Sequence, residues 1–143
     1  MKYCFFIVFI VFLSGCTPNK SRNNRQNEKA GVPEFVFQEE IHNFGTIRSG
    51  EIVAYSFEFQ NSGNAGLIIE HVESDCGCLT ADYPTKTIQA GETGYIDVEF
   101  SSAGEAGKVY KEIVLTSNAK KKKTILAITA NVKNKLINIY SEN

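Results

Sequence analysis

The chain has 143 residues, of which 43% are apolar, and 15 basic against 16 acidic side chains give a formal net charge of −1. That near-balance removes any general electrostatic reason to expect nucleic acid as a partner. The length suffices for one domain with a core of its own.

The first element is an export signal. Lys2 supplies a positive start, Tyr3 to Leu13 form an apolar run, and the small residues Ser14 and Gly15 precede Cys16. The run is too short to span a bilayer, so it reads as a signal segment over residues 1–15. Leu13-Ser14-Gly15-Cys16 resembles the bacterial lipobox. That resemblance implies cleavage before Cys16 and acylation of its thiol. Two or three acyl chains, at about 0.8 kcal/mol per buried CH₂, give stable attachment. Thr17 is not the aspartate that marks inner-membrane retention in some bacteria, so the expected address is the envelope of a Gram-negative bacterium, with the outer membrane favoured over the inner.

Residues 16–33 continue as a polar stretch rich in Asn, Lys and Arg. It has too little apolar surface to offset chain entropy and reads as a disordered tether with a reach on the order of 20–25 Å. From Glu34 the pattern changes to short alternating runs. They are Glu34 to Phe37, Ile41 to Ile47, Ile52 to Gln60, Leu67 to Val72, Tyr95 to Phe100, Val109 to Thr116 and Thr124 to Val132. The alternation places Val53, Tyr55, Phe57 and Phe59 on one face, as it does Ile96, Val98 and Phe100, and Leu126, Ile128, Ala130 and Val132. Clusters at Asn61 to Gly66 and Ala90 to Glu92 are turns, with Gly63 and Gly91 expected at positive φ. No segment carries helical periodicity with caps. About seven short strands over residues 34–132 predict an all-β, immunoglobulin-like antiparallel sandwich. The absence of Trp and of two widely spaced cysteines argues against an antibody-type domain. Residues 133–143 form a tail that would add an edge strand or pack on a neighbour.

The order of several short motifs resembles the domain-of-unknown-function family 1573, bacterial envelope proteins that are often lipoproteins. The carriers are Phe44-Gly45-Thr46-Ile47 with Gly50-Glu51, Phe57 to Gly63, Leu67-Ile68-Ile69, Cys76-Gly77-Cys78-Leu79-Thr80, Ala90-Gly91-Glu92 before Ile96 to Phe100, and Ser117-Asn118. The resemblance implies a seven-stranded sandwich of the major-sperm-protein, pilus-chaperone and hydin type, and it brings no catalytic residues. Ala90 stands where the family commonly has proline.

Chemistry centres on Cys76-Gly77-Cys78. Cys4 leaves with the signal and Cys16 is committed to lipid, so these are the two thiols left for a disulfide. Four readings compete. The pair is structural, packing or pinning a loop; or it is a strained, easily reduced redox disulfide; or it is a thiolate pair for a soft metal, with His71 as the nearest further donor; or it bonds a second chain. No cation adjacent in sequence would lower a thiol pKa, and Asp75 would raise it. His42 and His71 would be the bases of a cysteine nucleophile, but their spacing does not point to one. No phosphate loop, HExxH or serine elbow is present, so an enzyme is not expected and no cofactor is implied. Lys120-Lys121-Lys122-Lys123 lies between two strands, either as a solvated turn that protects an edge or as a docking site for phosphate-bearing lipid or an acidic partner. The expectation is a lipid-anchored, non-enzymatic envelope module that binds an envelope protein or a glycan. The alternative is a redox or soft-metal lipoprotein built on Cys76 and Cys78. The sequence sets no oligomeric state.

Overall fold

The structure is a computed structural model that describes residues 31–134. The signal segment, Cys16, the tether through residue 30 and the tail from residue 135 lie outside the described residues. Among the described residues there are eight strands and no helix: β1 (Phe35–Phe37), β2 (Ile41–Arg48), β3 (Ile52–Asn61), β4 (Ile69–Ser74), β5 (Leu79–Asp82), β6 (Thr93–Ser101), β7 (Gly107–Ser117) and β8 (Lys123–Lys133).

Two four-stranded sheets face each other, ordered β1-β3-β6-β5 and β2-β8-β7-β4. The period-2 pattern decides which side chains meet between them. On β6, Ile96, Val98 and Phe100 are buried while Tyr95, Asp97 and Glu99 are exposed. On β8, Leu126, Ile128, Ala130 and Val132 turn inward, and on β3 Phe57 and Phe59 do. Val53 and Tyr55 share that face but are only half-buried, because β1 flanks only Phe59 to Asn61 and leaves the start of β3 at the sheet edge. Each fully buried large side chain contributes about 1.5–3 kcal/mol by leaving water, and these positions together form one core.

The architecture is the immunoglobulin-like β-sandwich that the alternation predicts, with differences of local cause. An eighth strand, β5, pairs with β6 from Leu79↔Phe100 to Asp82↔Asp97. Only Leu79 and Ala81 of its four residues turn inward, too few for alternation to be read between Gly77 and Pro84. The fourth run is shifted: β4 starts at Ile69, while Leu67 makes a separate bridge to Ile88. The sandwich is also not wholly antiparallel. The chain leaves the first sheet after β1 and crosses through Gln38-Glu39-Glu40, so β2 lands beside β8 running in the same direction. Val32 and Pro33, assigned above to the tether, are part of the domain: Asn64 N–H bonds the Val32 carbonyl at 3.1 Å, and Pro33 is buried. Gly91 has φ 83°, as expected. Gly63 does not adopt positive φ. It is glycine because a Cβ there would collide with the Val32 carbonyl and Pro33 Cα.

Candidate functional site

The strands run end to end, so the connections gather at two ends. β7 separates them: Gly107 lies at one and Ser117 at the other, roughly 30–35 Å apart for an 11-residue strand.

One end carries the cysteines. Residues 75–78 form the corner at which the chain passes from β4 in one sheet to β5 in the other. Asp75 N–H bonds Glu112 O at 3.1 Å, Ser74 Oγ donates to Cys76 O at 3.0 Å, and Ser101 N–H bonds Cys78 O at 2.9 Å. The corner is tight enough to bring the two Cα atoms to 5.2 Å, and Cys76 and Cys78 are joined by a disulfide. Both are half-buried against the core. Cys78 Sγ lies 3.8 Å from Glu105 Oε1. This is a contact and not a hydrogen bond, since a disulfide sulfur has no proton to donate. Glu105 is paired with Lys111 Nζ at 2.8 Å. The Glu105–Lys111 pair was not legible in sequence, because β7 brings Lys111 to the corner from 33 positions beyond Cys78. Beside it, the fully buried Ser102 shares its hydroxyl between Arg48 O and Glu51 O, each at 2.8 Å.

The other end is built on asparagine. Asn61 is fully buried and satisfies its whole amide: Nδ2 donates to Ala65 O at 2.8 Å and Ile88 O at 2.9 Å, and Oδ1 accepts from Gly63 N at 3.1 Å and Glu34 N at 3.3 Å. Asn118 repeats the device, accepting from Ile68 N at 2.8 Å and donating to Gly66 O at 3.0 Å. Side-chain amides thus replace ladder partners where the chain turns. The motifs around Asn61 and Ser117-Asn118 are structural in this sense. Lys120 N–H bonds Pro33 O at 3.2 Å, which sets the lysine turn beside the point where the N-terminal segment enters the domain. Lys120, Lys121 and Lys122 are in the turn, and Lys123 opens β8; all four are exposed.

The histidines lie elsewhere. His71 Nε2 sits 3.3 Å from Glu73 Oε1 on the exposed side of β4. His42 stacks flat on Tyr55, with centroids 3.6 Å apart, and meets Phe44 edge-on. His42 Nδ1 is 2.8 Å from Glu39 Oε1. Hydrogen bonds from the Tyr55 hydroxyl and then from His42 hold the Glu39 carboxyl below its ordinary value. The same bond to Glu39, with burial next, pushes the Tyr55 hydroxyl above its own. This aromatic ladder joins β2 of one sheet to β3 of the other. No group of three or more His, Cys, Asp and Glu side chains suited to a metal occurs among the described residues.

Two facing sheets, with the chain passing from one to the other between β1 and β2, define an immunoglobulin-like β-sandwich. The chain belongs to the family described as protein of unknown function (DUF1573), whose model matches residues 35–132. Among solved structures it is similar to a protein of unknown function from Porphyromonas gingivalis W83, with TM-score 0.60 and 19% identity over 71% of this chain and 46% of that one. It is also similar to the VesB protease of Vibrio cholerae, with TM-score 0.57 and 15% identity over 69% of this chain and 31% of that one. The ASH / PapD-like domain 7 of human CEP192 gives TM-score 0.56 and 10% identity over 70% of this chain and 85% of that one. At such identities the likeness is one of fold. This chain spans less than half the length of the Porphyromonas protein and under a third of VesB. No curated protein matches the sequence.

Proposed function

We propose that this protein is a lipid-anchored, non-enzymatic module of the cell envelope that binds an envelope partner through a strand edge. The observation that carries this reading is the open side of β3. β1 pairs only with Phe59, Gln60 and Asn61, and the last bond on that side runs from Gln38 N–H to Glu58 O. Toward its start, β3 has no strand there among the described residues. Glu58 and Ser62 face β1, so by the two-residue period Ile52, Ala54 and Ser56 turn their backbone groups to the open side. An extended segment of a partner protein can add there, with main-chain hydrogen bonds giving affinity. A glycan would use a sheet face instead. Cys16 supplies the anchor in this reading.

The test is photo-crosslinking in intact cells from a reactive residue at position 52, followed by mass spectrometry. Recovery of one abundant envelope protein is expected. Ala54→Pro removes an outward N–H without touching the β6 ladder, and it should abolish the crosslink while the domain stays folded. A crosslink that survives Ala54→Pro, or its absence in the parent protein, would overturn strand addition.

One observation favours a second reading. The half-buried disulfide lies at the end away from the tether, within reach of a soluble thiol oxidoreductase. The partner thiolate would attack one sulfur, form a mixed disulfide and release the other as a thiolate. Trapping that mixed disulfide with a single-cysteine oxidoreductase tests it; no adduct would exclude it.

A further inference from the structure

We infer that the end of the sandwich carrying the lysine turn is a docking face for anionic membrane lipid, holding the domain upright with the disulfide end turned away. The inference rests on the reading of Cys16 as a lipid anchor, and three independent observations meet at this end.

The first is connectivity. Lys120 N–H is bonded to Pro33 O, so the turn is fixed beside the segment that leads back to Cys16. The described chain thus enters the domain beside Lys120–Lys123, which makes the lysine end the one nearest the anchor.

The second is charge. None of the four lysines is in an ion pair within the described residues. Glu34 and Glu40 share a groove of about 430 Å³ with Lys120 and Lys121, while Lys122 and Lys123 lie outside it. The outer face of the β1-β3-β6-β5 sheet has the opposite character. Asp82 stands directly across from Asp97, and Glu99 lies between Thr80 and Ala54, with no basic side chain opposite any of them. An anionic surface thus attracts the lysine end and repels that sheet face, which leaves one favoured orientation.

The third is apolar exposure. Of the large apolar side chains that stand exposed among the described residues, Val32, Val36, Ile41, Ile68 and Ile125 lie toward this end. Val32 precedes the proline that Lys120 contacts, Ile68 accepts from Asn118 N–H, and Ile125 follows Lys123 by two positions. Ile41 pairs with Ala127 on the neighbouring strand. Lysines and exposed aliphatic side chains at one end match a headgroup boundary, where ammonium groups meet phosphates and methyl groups enter the acyl margin.

The full chain is reconstituted into vesicles of phosphatidylglycerol or of phosphatidylcholine, and its lysines are acetylated and read by mass spectrometry. Lys120–Lys123 are expected to react roughly fivefold more slowly on phosphatidylglycerol, and raised salt should abolish the difference. Lys108 and Lys133, at the other end, should react equally on both. Equal rates for the turn lysines on the two lipids would overturn the inference, as would equal slowing at Lys108 and Lys133. Slowing in native membranes but not in pure-lipid vesicles would overturn it in favour of an acidic protein. The mass of the N-terminal peptide reports lipid on Cys16 separately. Lipidated Cys16 with unslowed lysines removes the docking face alone, whereas slowed lysines without lipid keep the face and remove the anchor.

Discussion

The two ends of the sandwich solve one problem by different chemistry. Wherever the chain crosses between sheets or turns back, backbone groups lose their ladder partners. At the lysine end, Asn61 and Asn118 supply both donor and acceptor from side-chain amides. At the disulfide end, one hydroxyl from Ser102 serves two carbonyls and a covalent bond closes the adjacent corner. An amide can satisfy groups of either kind and a hydroxyl proton can be shared only so far, so the first end is held mainly by hydrogen bonding. The second end adds to its hydrogen bonds a covalent link over one intervening residue.

This difference orders the expected effects. Asn61→Ala should be the largest, at about 3 kcal/mol, because it removes every hydrogen bond of a fully buried amide and takes that partner from the Ala65 carbonyl and the Gly63 N–H, while the Ile88 carbonyl keeps only Leu67 N–H. Denaturant melts would show it, and the thermal midpoint should fall by about 12 °C or more. Ser102→Ala should cost less, about 1–2 kcal/mol, since one proton is lost and not a whole amide. A larger loss for Ser102→Ala than for Asn61→Ala would break the comparison.

The double variant Cys76→Ser, Cys78→Ser should cost about 1.5 kcal/mol, the small entropy of so short a loop. Urea midpoints with and without reductant check the same figure. Outright unfolding would mean that the corner depends on the bond for more than loop closure.

The smallest effect lies between the ends. Tyr55→Phe removes the hydroxyl that depresses Glu39, so the Glu39 midpoint in a carbon-13 NMR titration should rise. Because the Glu39 value in the folded chain lies below its unfolded one, this contact stabilises fully above the unfolded value and fades as pH falls through the folded one. Tyr55, shifted upward, behaves oppositely: its contribution is complete below the ordinary tyrosine value and fades as pH rises through the folded value.

The core of this protein was legible because it is written locally. Phe57, Phe59, Ile96, Val98, Phe100, Leu126 and Ile128 declare their side by alternation alone, and each is buried. The turn at Gly91 was equally local, whereas the family resemblance lay in the order of motifs along the whole domain. β5 was not legible, since four residues after a CGC corner carry too little periodicity. Nor was the parallel pairing of β2 with β8, which depends on where a three-residue crossing sets the chain down.

The division is sharper still for the sites. Sequence by itself determined that Cys76 and Cys78 are thiols one residue apart and that four lysines share one turn. Tertiary structure decided that these lie at opposite ends, that Glu105 and Lys111 accompany the disulfide, and that Pro33 is bonded beside the lysines. The reason is physical. Side-chain period and turn chemistry act over a few residues, whereas the end of a sandwich at which a loop emerges depends on strand direction and pairing across the whole chain.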